Sequence, residues 1–487
     1  MASIKRNFFY NILLNLSGVI FPIITAPYVA RVLDPDGLGL AGFANVYAGY
    51  FAMFAALGSG RYTVREIAKV RDSKEQIQNF VSEITALLGI NTLICAALYI
   101  ISIFVFPKFS SDWLIFLIAG LAIYILPLKI DWYFIGLEKV GVIVSRALII
   151  RIISIICLFL FVKSKADLYI YVLLGFISSF GGVAWNLWML RKDKIKLSWK
   201  FSGIGKHYKP MFILFSSAIA ISIYVMLDSF MLGLMADYSE VGYYNSSTTL
   251  SKTLLNIVTS LSAVAVPRVA YYLHKKEYTN INSLIAKSLG IVAFLAFPMT
   301  IGLMCIAPRF IPLFLGEQFI PSILPTILMA SVIVAIGFSN ITGTQILIGM
   351  GKDVVFLYSM LWGTVSNFLL NLILIPKLGA TGAATASVIA EFLVLGASFY
   401  YVKKETEVKF TGVFREIWVP FVACLPFIPI TLIINHFTQG WWSIITVVLS
   451  CVLCYIFMQK LFKTKSYCMM WDLVASRITK ITDKFSK

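Results

Sequence analysis

The stretch 7–72 constrains the fold more than any other part of the chain. Residues 8–30 carry no charge, and a helix of about 20 apolar residues is enough to cross the roughly 30 Å core of a bilayer. A short turn follows at 31–39, then a second apolar run to Leu57. Beyond it Arg61, Arg65, Glu66, Lys69, Arg71, Asp72 and Lys74 crowd together. Lys and Arg accumulate on the cytoplasmic flank of a span, so this is a membrane hairpin whose open end faces the cytoplasm.

Composition extends that reading to the whole chain. With 59% hydrophobic and 13% charged residues, a soluble core could not cover the apolar surface, and an all-α polytopic membrane protein is expected. The net charge of +18 would suit nucleic acid only if it were gathered on a polar domain, and the sequence has none, so no nucleic-acid partner is expected. Six of the seven cysteines lie in apolar runs, which argues against disulfides. Cys451 and Cys454 fall inside one expected span and read as packing. His207, His274 and His436 fall in expected loops far apart, without ligand spacing, so the reading contains no metal, no cofactor and no catalytic constellation, and no enzyme activity.

Hydropathy places further helices at 82–106, 113–135, 142–162, 168–190, 210–235, 242–266, 288–307, 323–349, 354–375, 378–402, 417–434 and 441–460, giving about 14 in all. The domain layout is an N-terminal six-helix bundle at 1–190, a basic cytoplasmic linker at 191–209 and a C-terminal six-helix bundle at 210–402. Two additional transmembrane helices follow at 403–465 and an amphipathic cytoplasmic tail at 466–487. Of the 41 Lys and Arg, six fall in outer turns (Arg31, Lys108, Lys163, Lys165, Arg309 and Lys377), four in helix interiors and the rest inside, so both termini are expected in the cytoplasm. The halves echo one another weakly. A shift of 203 sets Asp34, Gly39 and Arg65 on Asp237, Gly242 and Arg268, and a shift of 213 sets Gly136 and Lys139 on Gly349 and Lys352. An even number of helices per half makes this a parallel repeat, with a pseudo-two-fold along the membrane normal.

Charges within the spans carry the functional reading, because an ionised side chain in hydrocarbon needs a partner or a wet cavity. Arg151 and Lys252 lie deep in their helices, and Lys129 and Arg146 nearer the inner surface. Arg31, Arg61, Arg65 and Arg268 sit at helix ends from which they can turn inward. These eight cations are the candidate ligands of a multiply anionic cargo, a diphosphate above all, since guanidinium forks match phosphate oxygens. The rival reading has the shallower ones reaching for lipid headgroups and the deep pair salt-bridged to Glu391 or Asp228. The interior acids Asp131, Asp228 and Glu391 are the candidates for a coupling ion, sodium or proton.

The segment "NFFYNILLNLSGVIFPIITAPYVARVLDPDGLG" followed by "GSGRYTVREIAKVRD" resembles the start of the Wzx-type polysaccharide flippases of the multidrug/oligosaccharidyl-lipid/polysaccharide exporter superfamily. Pro22, Pro27, Arg31, Gly37, Arg65, Glu66 and Lys69 carry the likeness, which fades toward the C-terminus. The resemblance implies a protein of the bacterial cytoplasmic (inner) membrane. It would move an undecaprenyl-diphosphate-linked oligosaccharide from the inner to the outer leaflet by alternating access, for O-antigen, capsule or another surface polysaccharide. Its partners would be that lipid-linked oligosaccharide, membrane lipids, a polysaccharide polymerase and a chain-length regulator. A cation-coupled multidrug exporter of the same superfamily is the alternative, and the cationic excess weighs against it. A membrane glycosyltransferase or polymerase would call for a larger outer loop or an acidic catalytic pair.

Overall fold

The computed structural model describes residues 4–259, 262–410 and 412–469, and among them every regular element is helical. Among the described residues ten stretches are long and apolar enough to cross a membrane. Two of these turn back on themselves, and the helices Gly205–Met235 and Tyr238–Thr259 stand beside them, in keeping with the layout of about fourteen crossings. The chain is a polytopic all-α membrane protein.

The two reversals have local causes. Helix Ile4–Ala56 breaks at Asp34, with φ 57° and ψ 171°. A residue ahead of proline is pushed out of the α region, and Pro35 then starts the next helix with its φ already set. Helix Asp353–Glu405 breaks at Gly379, where φ 52° and ψ −128° suit only a residue without a Cβ.

Packing divides the chain into two compact units, 1–242 and 243–487. Helix Gly205–Met235 therefore belongs to the first unit, although the basic stretch 191–209 precedes it. In the first unit the opening hairpin packs on helices Lys74–Val105, Trp113–Tyr124 and Val140–Phe161. Lipid tails are as apolar as leucine, so close van der Waals fit must hold such helices together. An aromatic knot supplies it. Phe43 lies 5.8 Å from Phe109 and 5.9 Å from Phe116, and Tyr47 lies 5.6 Å from Tyr99, whose hydroxyl donates to the Phe116 carbonyl at 2.6 Å. In the second unit helix Tyr278–Phe314 packs on Ile323–Ser339, which packs in turn on Asp353–Glu405. The final helices, Phe427–Phe437 and Gly440–Phe462, lean on Tyr278–Phe314 around an apolar cavity of about 350 Å³, with Cys451 packed in its wall beside Tyr455 and Phe427.

Several expectations are corrected. The span 113–135 is broken: Trp113–Tyr124 ends, a 3₁₀ turn Leu126–Leu128 holds Pro127, and a short helix Asp131–Gly136 restarts. Proline lacks the N–H and crowds the preceding turn, so a helix through Pro127 would forfeit a hydrogen bond. The span 417–434 is split between Phe414–Val422 and Phe427–Phe437, around Pro426. None of the three histidines is in a loop: His207 lies in the first turn of Gly205–Met235, His274 ends Ser262–His274 and His436 is in the last turn of Phe427–Phe437. The amphipathic tail expected at 466–487 lies outside the described residues from 470 onward.

Candidate functional site

The break at Pro127 builds the site. Because the helix stops there, Lys129 (ψ 84°) and Asp131 sit on an elbow instead of a continuous helical face. Opposite the elbow, helix Val140–Phe161 presents Arg146, Ala147, Ile150 and Arg151. Arg146 and Ile150, and likewise Ala147 and Arg151, lie four residues apart and so share a side. Helix Leu168–Lys192 closes the cleft with Gly175, Ser178, Ser179, Gly182, Val183 and Asn186, a stripe of small and polar residues at helical spacing. The result is a polar cavity of about 350 Å³ inside the first unit.

Its cations differ in how firmly they are held. Arg146 is only 8% exposed, and its Nη1 donates to Asp131 Oδ1 at 2.8 Å, to the Gly182 carbonyl at 3.1 Å and to Asn186 Oδ1. Asn186 Nδ2 donates to the same Asp131 oxygen at 2.6 Å, so carboxylate, amide and guanidinium form one closed network. The Arg146 guanidinium is thus turned into the protein and not toward headgroups. Arg151 reaches across to donate to Ser17 Oγ on the first helix, with Phe21 under its guanidinium at 5.9 Å. Lys129 is half-buried beside Asp131. Among the described residues three cations therefore line the cavity against one carboxylate, and that carboxylate is already engaged. An anion with several oxygen acceptors would meet complementary donors there.

Arg31, Arg61 and Arg65, of the same unit, do not line this cavity. Arg31 and Arg61 are exposed, while Arg65 donates to Glu66 at 3.0 Å and lies 5.7 Å from the Tyr62 ring. Asp228 is buried in the first unit near the Tyr50 hydroxyl. Lys252, Arg268 and Glu391 lie in the second unit, where the two cations are exposed and Glu391 is half-buried. Sequence reading missed Asn186, Ser178, Ser179 and Gly182, because it looked for charge. Their recurrence at intervals of three, four and seven on a span was the available signal.

A protein family described as "Polysaccharide biosynthesis protein" matches residues 4–273, more than half of the chain. The chain belongs to that family. It is similar to an Escherichia coli (strain K12) protein named as an O-antigen transporter, with 24% identity over 412 residues, 82% of this chain and 97% of the relative. It is also similar to a Haloferax volcanii protein named as a low-salt glycan biosynthesis flippase, Agl15, with 22% identity over 417 residues, 81% of this chain and 83% of the relative. Among solved structures it matches lipid II flippase MurJ in an inward closed conformation, with a TM-score of 0.74, 15% identity, and coverage of 93% of this chain and 98% of that one. A multidrug resistance MATE family transporter of the MOP superfamily, in an inward-facing conformation, gives a TM-score of 0.59 at 15% identity over 80% of this chain and 93% of that one. These structural likenesses establish the fold: this polysaccharide biosynthesis family member has the architecture shared by MurJ and MATE proteins. The elbow, the arginine face and the small-residue stripe all lie within the family-matched residues.

Proposed function

We propose that this protein flips an undecaprenyl-diphosphate-linked oligosaccharide from the inner to the outer leaflet of the bacterial cytoplasmic membrane. It would work by alternating access and serve the assembly of O-antigen, capsule or another surface polysaccharide. The observation that carries the reading is the convergence of Lys129, Arg146 and Arg151 on one polar cavity within a membrane-spanning unit. Cations placed in hydrocarbon are costly unless they serve an anion, and diphosphate offers a dense set of acceptors. In this scheme Lys129 and Arg151 grip the diphosphate, while Arg146, tied to Asp131 and Asn186, holds the elbow and adds its field. The names of the E. coli and Haloferax relatives and the MurJ-like fold support the same cargo class.

The sodium or proton that resets the carrier is assigned to the interior acids Asp131, Asp228 and Glu391. Both termini are placed in the cytoplasm, and a polymerase and a chain-length regulator are the partners that would receive the cargo. A drug exporter would need acids facing its cavity. The one acid here is neutralised by Arg146.

The test is flipping of a fluorescent undecaprenyl-diphosphate oligosaccharide in proteoliposomes. Arg151→Ala and Lys129→Ala should each insert normally yet slow flipping by about tenfold or more, the loss of a charge-assisted contact to phosphate. Unchanged rates in both would remove the cationic cavity from the mechanism. Collapse of the sodium or proton gradient should slow the native protein, and indifference to both would dispose of the coupling assignment.

A further inference from the structure

After helix Leu168–Lys192 the chain does not leave the protein surface. Residues 195–200 run extended along helix Lys74–Val105. The Lys196 amide donates to Gln78 Oε1 at 2.6 Å, and Gln78 Nε2 donates back to the Lys196 carbonyl. Ser198 and Ser82 hydroxyls meet at 2.7 Å, the Lys200 amide donates to the Ser82 carbonyl at 3.4 Å, and Lys200 Nζ donates to Asn79 Oδ1 at 3.0 Å. The Trp199 ring lies against Gly89. Buried Ile195 pins the near end of this strap in the apolar cluster that also holds Ile84 and Leu190.

The far end is pinned by charge. Glu83 is 5% exposed and His207 3% exposed. Glu83 Oε2 meets His207 Nε2 at 2.9 Å and Lys206 Nζ at 2.7 Å, and Oε1 faces Lys200 Nζ at 3.7 Å. His207 Nδ1 meets the Tyr62 hydroxyl at 2.6 Å, and Phe80 packs on the imidazole edge at 5.5 Å. An ionised Glu83 can only accept, so Nε2 carries a ring hydrogen, and the Tyr62 hydroxyl satisfies Nδ1. Tyr62 belongs to helix Ser59–Val70, Glu83 to Lys74–Val105 and His207 to the first turn of Gly205–Met235, so one hydrogen-bonded chain ties three segments.

We propose that Tyr62, His207 and Glu83 form a latch that fastens the basic strap 195–207, and with it the start of helix Gly205–Met235, to the first unit, and that Glu83 is the group that holds the latch shut. Three basic side chains of the strap, Lys200, Lys206 and His207, converge on this single carboxylate, while the polar contacts of 196–200 with Gln78, Asn79 and Ser82 are exchangeable hydrogen bonds at or near the surface. Such bonds can part without exposing a large apolar area. Loss of the carboxylate charge removes the common partner of all three bases at once and leaves the strap to Ile195, the Trp199 ring and its hydrogen bonds to Gln78, Asn79, Ser82 and Tyr62.

Hydrogen–deuterium exchange of the full-length protein in nanodiscs tests this segment by segment, without any cargo. In Glu83→Gln the amides of 196–207 should exchange at least about tenfold faster than in the native protein, and in Tyr62→Phe about threefold faster, with the interior of Lys74–Val105 unchanged in both. A Ser82→Cys/Ser198→Cys disulfide, confirmed by mass spectrometry, should restore protection at 196–200 in the Glu83→Gln background. Unchanged exchange in Glu83→Gln would overturn the latch. An increase spread evenly over the first unit would overturn it too, because it would make Glu83 general cement for the fold. Failure of the disulfide to form in the native background would show that the strap is not seated on the helix.

Discussion

Gly39 and Gly242 each press the other's chain turn. A Cβ on Gly39 would fall 1.6 Å from the Tyr238 carbonyl oxygen, and one on Gly242 would fall 2.1 Å from the Pro35 carbonyl oxygen. These are the two glycines that the 203-residue shift pairs, so the weak internal repeat returns as a reciprocal contact between corresponding turns. Small residues let helix backbones approach closely in membranes, and here the approach is so close that only hydrogen fits. The obstacle is backbone and cannot swing aside. Gly39→Ala and Gly242→Ala should each destabilise the detergent-purified protein by about 3 kcal/mol, the upper end of overpacking costs. Gly18→Ala, with nothing within 4 Å of the added carbon, should leave the melting temperature close to native.

Pro127→Ala tests whether the elbow makes the site. Alanine restores the N–H and removes the ring clash, so the helix beginning at Trp113 can run on and carry Lys129 round its axis, away from Arg151. Flipping should fall by about tenfold or more, as for loss of Lys129 itself, while the melting temperature changes little. Native flipping in Pro127→Ala would show that Lys129 is not used in its present position.

What the sequence could disclose follows from what hydropathy measures. It finds stretches that need lipid, so the crossings are legible, and so is the turn at 31–39 that holds the break at Asp34. It is blind to a break inside an apolar run. Pro127 leaves the apolar pattern unbroken, so hydropathy predicts a continuous helix through Lys129 and Asp131. Charge singles out Arg146 and Arg151, but Asn186, which closes the network around Arg146, is uncharged and gives no such signal. The lysines around His207 predict an exposed linker there. Nothing local to the sequence reveals that Glu83, 124 positions earlier, buries it.

The Arg146, Asp131 and Asn186 network should behave as a unit. Asp131→Asn leaves a nearly buried guanidinium without its counter-charge, and Arg146→Leu leaves the carboxylate and Asn186 facing an apolar side chain. Each single change should destabilise the protein. The double variant should be more stable than the sum of the two predicts, by a coupling of about 1–2 kcal/mol in a double-mutant cycle on thermal unfolding. A coupling near zero would mean that the observed contact between Arg146 and Asp131 does not contribute to the folded state in solution.

Arg309 offers a separate test in the second unit. Its guanidinium closes the end of helix Phe427–Phe437: Nη1 donates to the Thr438 carbonyl at 2.6 Å and to Ser443 Oγ at 2.8 Å, and Nη2 donates to the Asn435 carbonyl at 2.5 Å. The last carbonyls of a helix lack intrahelical partners and carry the negative end of its dipole, so a cation with a planar fork answers both needs. The same fork joins helix Tyr278–Phe314, which bears Arg309, to the turn between the two final helices. Lysine keeps the charge but cannot reach three acceptors in one plane. Arg309→Lys should therefore cost about 1–2 kcal/mol and Arg309→Ala about 3 kcal/mol, as charge-assisted bonds are lost in turn and their acceptors left bare. Faster amide exchange should appear at 435–443 in both variants and leave Ile323–Ser339 untouched. If lysine proves as stable as arginine, charge alone holds this corner and the fork geometry is incidental.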